Sequence, residues 1–571
     1  MPIPRNITGK NRHSTTIQQL HDAYDPAERM IKSSLPFHPL GYHTTLVGPM
    51  DVHPTVPSVR YVSKLLETGL AADRLRACDI LNRLMDLQDT DPDSKTYGLW
   101  SWYMEEPLSK MSPPDYNWAD FFGREMISII FDHSDALDAA LRARLDQAML
   151  HATTSIRRRN CHVTYTNIMA TGTLVTLVAS ELYNWSDLHD YAMDRLRRFH
   201  ALVMSTRSFT EYNSPNYSFV TMEAIEDLLR YAKDPEALKL AWDLHEVLWE
   251  EISIHFHAPS GQWAGPHSRS YSNLLEVKSR EKLQGILRDE PSPELPAYLR
   301  PIKPRSPQVA KLIASVDQPR SACKLYVKAT PPVIGNTYLH PKFALGSITR
   351  GTLWNQSRPM LAYWGTKENP AYLRLRFLHD GYDFTTAQFF SVQQEGRVLA
   401  GVNFATDAGD THPFFDRLKN GLFKASDLRL SFEIGGAGMG AALTLPSGGS
   451  PAQIDLGGLS LRIAVPFAQF GSLPVSFGLE RGEQFQSIDV VLYDGPQRTF
   501  DLTQIAPAAI GLAMELTDAN TPWRPVSARH ADDQLSLGWD GLSVSIPMTP
   551  GPQEEMQKAP LLSPLGRPFG L

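Results

Sequence analysis

Between Arg288 and Pro307 the prolines at 291, 293, 296, 301, 304 and 307 cut the chain into two stretches whose apolar residues repeat with different periods. Proline lacks a backbone N–H and fixes φ, so neither a regular helix nor a central strand crosses such a segment. From about Gln18 to Leu287 the apolar residues recur at helical spacing, broken by short Pro, Asn and Asp loops. The candidate helices are Val59–Thr68, Ala72–Leu87, Trp118–Phe131, Leu137–Ile156, Thr166–Tyr183, Leu188–Thr206, Tyr217–Tyr231 and Pro235–Ile254. Similar lengths and short connections predict antiparallel neighbours, a repeated helical hairpin without a repeated sequence.

Beyond a short helix at Gln308–Ser315 the pattern turns to alternating, β-branched and aromatic runs separated by Gly and Asp. Expected strands are Lys324–Lys328, Phe343–Thr349, Leu361–Tyr363, Tyr372–Leu378, Phe389–Gln394, Arg397–Phe404, Leu428–Glu433, Leu459–Val465, Gln486–Leu492 and Leu542–Ile546. This predicts an α+β multidomain chain, with a helical domain over 1–287, a Pro-rich linker over 288–316, an antiparallel β-sandwich over 317–550 and an extended tail over 551–571. The glycine-rich Gly435–Gly440 run lies between strands rather than between a strand and a helix, which argues against a dinucleotide fingerprint.

Length supports this division, because 571 residues exceed what one hydrophobic core serves. No apolar run is long enough for a membrane-spanning helix. The first residues are polar and lack a secretory core, so the sequence as it stands predicts a cytoplasmic protein; processing of the N-terminus would instead allow a periplasmic or secreted one. Three distant cysteines, Cys78, Cys161 and Cys323, offer neither a disulfide framework nor zinc spacing. A net charge of 55 − 62 = −7 without a long basic block argues against nucleic acid as a partner. Oligomeric state and any structural metal in the β domain are left open by the residues.

Four polar and aromatic stretches at helix edges carry the chemistry. Phe209–Tyr217 crowds Glu211, Tyr212, Asn213 and Tyr217 around Ser214-Pro215, just before a helix. A proline-initiated cap accounts for Ser214 and Pro215 but leaves both tyrosines without a task. Tyr97–Glu106 offers Trp100 and Tyr103 for stacking on sugar faces and Glu105 for bonding hydroxyls, or else an anchored loop. Asn160–Asn167 contains His162 and leads into an apolar helix, with Thr166 as its expected cap and Asn167 free to project into a cleft. In Gln262–Tyr271, Trp263 is followed by His267, Arg269 and Tyr271 at every second position, which an extended chain places on one side. A surface loop with an ordinary ion pair is the bland alternative.

No Gly-x-Ser-x-Gly elbow, phosphate-binding loop or His-Glu-x-x-His helix occurs. What remains is proton chemistry by Tyr, His, Asn and Arg on an extended polar substrate.

A helical half before a β-sandwich half, Asn167 heading one helix, Glu211 and Ser214–Tyr217 heading a later one, and His267/Arg269/Tyr271 after that together resemble the heparinase II/III-like polysaccharide lyases. Tyr338–Gly346 and Trp354–Pro359 also look like that group. The resemblance implies an incomplete α/α toroid stacked on antiparallel sheets, and β-elimination at a uronic acid without a cofactor. It further implies an asparagine that neutralises the uronate carboxylate, a tyrosine that transfers a proton and a histidine base; these match Asn167, Tyr217 and His267, with His340 as a second histidine given by the β domain. The family's histidine beside the asparagine is missing here, since Ile168 follows Asn167 and the nearest histidine is His162.

Elimination asks for such groups on its own account. A C5 proton beside a charged carboxylate is barely acidic, so Asn167 and Arg269 would stabilise the developing enolate-like charge. His267, or an ionised Tyr217 or Tyr271, would take the proton while another phenol protonates O4, with arginine lowering a phenol's pKa. The competing readings are a glycoside hydrolase using Glu105 or Glu106 with Glu211 or Asp120, and a carbohydrate-binding protein without catalysis.

Overall fold

Asp138 and Asp234 each precede a helix and accept hydrogen bonds from its first-turn N–H groups, to Leu141 at 2.8 Å and to Glu236 and Ala237 at 2.8 and 2.9 Å. Asn160, Asn184 and Arg207 close three helices in the left-handed conformation. Such local punctuation delivers the predicted helical half. The computed structural model describes residues 16–37, 43–285, 302–409, 418, 420–447 and 450–563.

The helices are α1 (Ile17–Ala23), α2 (Thr55–Glu67), α3 (Ala71–Asp86), α4 (Asn117–Asp132), α5 (Ala139–Arg159), α6 (Thr166–Tyr183), α7 (Ser186–Thr206), α8 (Tyr217–Tyr231) and α9 (Pro235–His255). α2, α4, α6 and α8 pack in succession as an inner layer, and α3, α5, α7 and α9 each pair with an inner neighbour from outside. This is the incomplete α/α toroid. α6 is buried at every position from Thr166 to Ser180, so its apolar residues surround it rather than forming a stripe. Among the described residues no helix is long and apolar enough to cross a membrane.

Two large sheets form the body of the β half. A nine-stranded antiparallel sheet includes Arg320–Val327, Val333–His340, Phe343–Ile348, Met360–Gly365, Pro370–His379, Leu422–Gly436 and Phe485–Asp501; a six-stranded one includes Ala387–Gln394, Arg397–Phe404, Ser460–Phe470 and Ala508–Thr517. Leu373, Phe377 and Phe432 of the first sheet meet Phe389, Val402, Leu461 and Leu512 of the second in one core. Strand alternation turns the neighbouring Phe390 the other way, onto Trp539 and Ile546 of a four-stranded sheet. The sandwich therefore carries a third layer. Val333–His340 and Ala508–Thr517, absent from the sequence reading, are interrupted by Gly335-Asn336 and Gly511, which mask the alternation.

Pro307–Ala314 is helical as expected, while 288–301 of the linker lies outside the described residues. Within 551–571, read as an extended tail, Gln553–Lys558 forms a helix and Leu561–Leu562 pairs with Leu542–Pro547; residues 564–571 lie outside the description.

The halves dock backbone to backbone. A Cβ at Gly346 would collide with the Gly265 carbonyl, so only glycine permits that approach. Ala264 packs with Leu339, Leu361 and Tyr363, and Tyr212 stacks on Tyr326 with centroids 3.9 Å apart.

Candidate functional site

The first turns of α6 and α8, the 262–271 segment and a β-domain loop at 354–358 meet where the halves dock. Glu211 is the centre of the arrangement. Its Oε2 accepts from the backbone N–H of Asn167 at 2.9 Å and from that residue's amide Nδ2 at 2.6 Å. Thr166, expected from sequence to cap α6, does not; its hydroxyl instead accepts from the Glu211 N–H at 3.1 Å. A carboxylate beside a helix's first N–H groups is electrostatically favoured.

Arg269 uses all three of its guanidinium nitrogens. Nη1 donates to Glu211 Oε1 at 2.8 Å, Nη2 to the Tyr217 hydroxyl at 2.9 Å and Nε to Gln356 Oε1 at 2.9 Å. The cation also lies 4.0 Å from the Tyr217 ring centroid and 5.7 Å from that of Trp354. Tyr217 and the more exposed Tyr271 share a hydrogen bond between their hydroxyls. Ser214 accepts from the Tyr217 N–H at 3.1 Å and donates to the Arg269 carbonyl at 2.6 Å, while Asn216 Oδ1 accepts from the Tyr271 N–H at 2.9 Å. Asn167, Glu211, Arg269, Tyr217 and Tyr271 thus form one connected group.

Burial raises the Tyr217 pKa, the Tyr271 phenol adds to the rise, and Arg269 offsets only part of it. The expectation of a phenol ionised by its arginine is therefore corrected for Tyr217, which is a neutral proton donor at ordinary pH. Arg269 is held charged: burial opposes this, and Tyr217 and Glu211 outweigh it. Glu211 also fixes the Asn167 amide, because turning it would set oxygen against carboxylate. One amide hydrogen of Asn167 is then engaged, the residue is only 1% exposed, and Oδ1 is buried without a protein donor.

Beside this group, Asn117 donates to the Tyr165 hydroxyl at 3.3 Å and accepts from Arg159 at 2.7 Å. Burial raises the Tyr165 pKa, while Asn117 and Arg269 lower it. Beneath them Asp120 is buried, with Arg159 3.8 Å away and Oδ1 lacking a partner, and burial lifts its pKa to about 7 against the pull of Arg195 and Arg159.

Several expected site residues have structural tasks instead. His267 is 1% exposed, and its Nε2 contacts the Trp263 carbonyl at 2.9 Å. Burial, with Arg358 nearby, lowers its pKa to about 3. It is neutral and sealed, so the one-sided placement of His267, Arg269 and Tyr271 holds only for the last two. His340 stacks on Phe343 and lies 3.8 Å from Asp518 in the β domain. His162 is exposed and contacts Thr164 at 2.7 Å. Trp100 is a core residue stacked on Phe122, with its indole N–H bound to the Leu84 carbonyl. Trp263 is buried and donates to Asn213, whose amide donates at 2.8 Å to both Ala264 and Pro266 carbonyls. Tyr212 is taken up by its stack on Tyr326.

Tyr103 is half-buried against Trp102, and Glu105 binds the His53 N–H at 3.0 Å and its ring nitrogen at 2.5 Å. Glu106 accepts from Thr45 at 2.6 and 2.7 Å. Each carboxylate offered for a two-acid mechanism is thus committed to a partner or buried. Sequence reading overlooked Gln356, Trp354, Asn117 and Tyr165, although Tyr165 stands in the polar run before α6 and Gln356 in a noted β-domain stretch. Among the described residues no group of three His, Cys, Asp or Glu side chains is placed to hold a metal ion.

A family model described as a domain of unknown function, DUF8769, matches residues 39–279. No curated protein matches the chain. Among solved structures it is similar to a heparinase III at 9% identity, covering 86% of this chain and 82% of that one with a TM-score of 0.41. A second heparinase III, with methylated lysines, is 9% identical over 99% and 92% of the two chains at a TM-score of 0.42. A mutant heparan sulfate lyase from Pedobacter heparinus is 10% identical over 87% and 82% at a TM-score of 0.37.

Proposed function

We propose that this protein is a polysaccharide or oligosaccharide lyase that cleaves a uronic-acid-containing glycan by β-elimination at the Asn167–Glu211–Arg269–Tyr217–Tyr271 group. The observation that carries the reading is Arg269 hydrogen-bonding Tyr217, which in turn bonds Tyr271. This joins a fixed cation to two phenols in one group, the combination that proton abstraction beside a carboxylate requires.

The substrate carboxylate takes the second amide hydrogen of Asn167 and a remaining N–H of Arg269. Their donation withdraws charge as C5 becomes carbanion-like. Tyr271, hydrogen-bonded to Tyr217, accepts the C5 proton. The C5 electron pair forms the C4=C5 double bond, the C4–O4 bond breaks, and Tyr217 protonates the leaving oxygen. The two phenols then exchange their proton across the hydrogen bond they already share. No water is consumed. The contrasting environments, Tyr217 half-buried and Tyr271 exposed, support this division of acid and base.

Incubation with a panel of uronate glycans, followed by ultraviolet absorbance and mass spectrometry, tests the proposal. Unsaturated products are expected. Products heavier by one water, without the absorbance band, would identify hydrolysis instead.

A further inference from the structure

Behind the loop that presents Gln356 to Arg269, the nine-stranded sheet buries an excess of positive charge. Arg358, Arg374 and Arg376 are 2%, 6% and 8% exposed. Arg376 is fully matched, donating to Asp383 at 2.9 and 2.6 Å and to Glu433 at 2.7 Å. Arg374 reaches Asp383 only at 3.4 Å. Arg358 donates to backbone carbonyls: Asn355 at 2.7 Å, and Ser357 and Ser270 at 3.0 Å each. Three guanidiniums therefore face two carboxylates, Asp383 and Glu433, among the described residues.

The surplus charge has a definite place. Arg358 and Arg374 both donate to the Asn355 carbonyl, at 2.7 and 3.0 Å, which sets the two cations side by side. Each leaves a buried Nε–H without a protein acceptor. Guanidinium stays protonated in proteins, so the charge cannot be shed cheaply, and an unmatched buried charge is costly. Burial pushes both arginines' pKa values down, Arg374 adding to it at Arg358 and Arg376 adding to it at Arg374, and Asp383 compensates only in part.

We propose that this protein binds a small monovalent anion of the chloride class between Arg358 and Arg374. The anion accepts the free Nε–H groups and brings the cluster to neutrality. It thereby braces the 354–358 segment, whose Gln356 holds Arg269 and whose Arg358 holds the Ser270 carbonyl between Arg269 and Tyr271. The site is separate from the proposed elimination chemistry, and its binding is measurable without any substrate.

The test is thermal unfolding of the whole chain in chloride or bromide against gluconate at constant ionic strength, with anomalous diffraction from a bromide-soaked crystal. A saturable rise of about 2–4 °C specific to the halides is expected, together with a bromide peak between Arg358 and Arg374. Asn355→Asp adds a negative charge on the residue whose backbone carbonyl both arginines bind and is expected to abolish the halide dependence while the protein still folds. Equal melting in halide and gluconate, or bromide confined to surface cations, overturns the proposal; so does undiminished halide dependence in Asn355→Asp.

Discussion

Asn167 and Glu211 are joined twice, the same carboxylate oxygen accepting from the backbone N–H and the side-chain amide of the asparagine. The chain's own carboxylate thus orients the amide that is proposed to meet the substrate's. Removing that amide with Asn167→Ala is expected to lower kcat by about 10²–10³, the usual cost of one donor to developing negative charge. Single-turnover rates measure it, and activity within tenfold of wild type would remove Asn167 from the mechanism.

Tyr217→Phe keeps the ring beneath Arg269 and deletes only the hydroxyl. A loss of about 10²–10⁴ in elimination rate, with glycan affinity preserved, is expected if that hydroxyl is the acid. Parallel binding and absorbance measurements separate the two effects. A variant that retains turnover would return the proton transfer to another group.

His267, with a pKa lowered to about 3 by burial, contributes no ionisation near neutrality. The pH profile of kcat/KM is expected to lack an inflection near the ordinary histidine value of about 6.5 that disappears in His267→Gln. Finding one would restore a histidine as the base.

Gln356 reaches the site from the β domain and fixes Arg269 through Nε. Gln356→Ala is expected to lower kcat by about tenfold, the size of one hydrogen bond to a charged group, with little change in melting temperature. Partial recovery in Gln356→Asn would separate positioning from a general packing effect.

Asp120 supplies a stability prediction. Its folded pKa of about 7 lies above the ordinary aspartate value, so the folded state retains a proton that the unfolded state releases. The stabilisation is fully present below about pH 4 and is lost as pH rises to about 7, where the buried charge forms. The melting temperature of wild type relative to Asp120→Asn should therefore fall across that range and level off above it. A difference independent of pH would contradict the shifted ionisation.

Local signals were legible where backbone chemistry is local. The 3.6-residue period placed Thr166–Tyr183 and Tyr217–Tyr231 at the ends observed, and the proline run marked the change to β structure. Strands such as Ala508–Thr517 escaped because sheet pairing rather than residue pattern stabilises them. Trp100 was read as a sugar platform because an aromatic near polar residues has the same sequence appearance in a core as in a cleft.

The sequence by itself determined the two-part architecture, the starts of the helices at Thr166, Tyr217 and Pro235, and the candidacy of Asn167, Glu211, Tyr217, Arg269 and Tyr271. Only the tertiary structure decided that Glu211 binds Asn167 and Arg269, that His267 is sealed, and that Gln356 completes the arginine's partners. Periodicity and caps act over a few residues, whereas charge pairing and desolvation depend on which distant segments meet, and that is set when the toroid closes on the sheet.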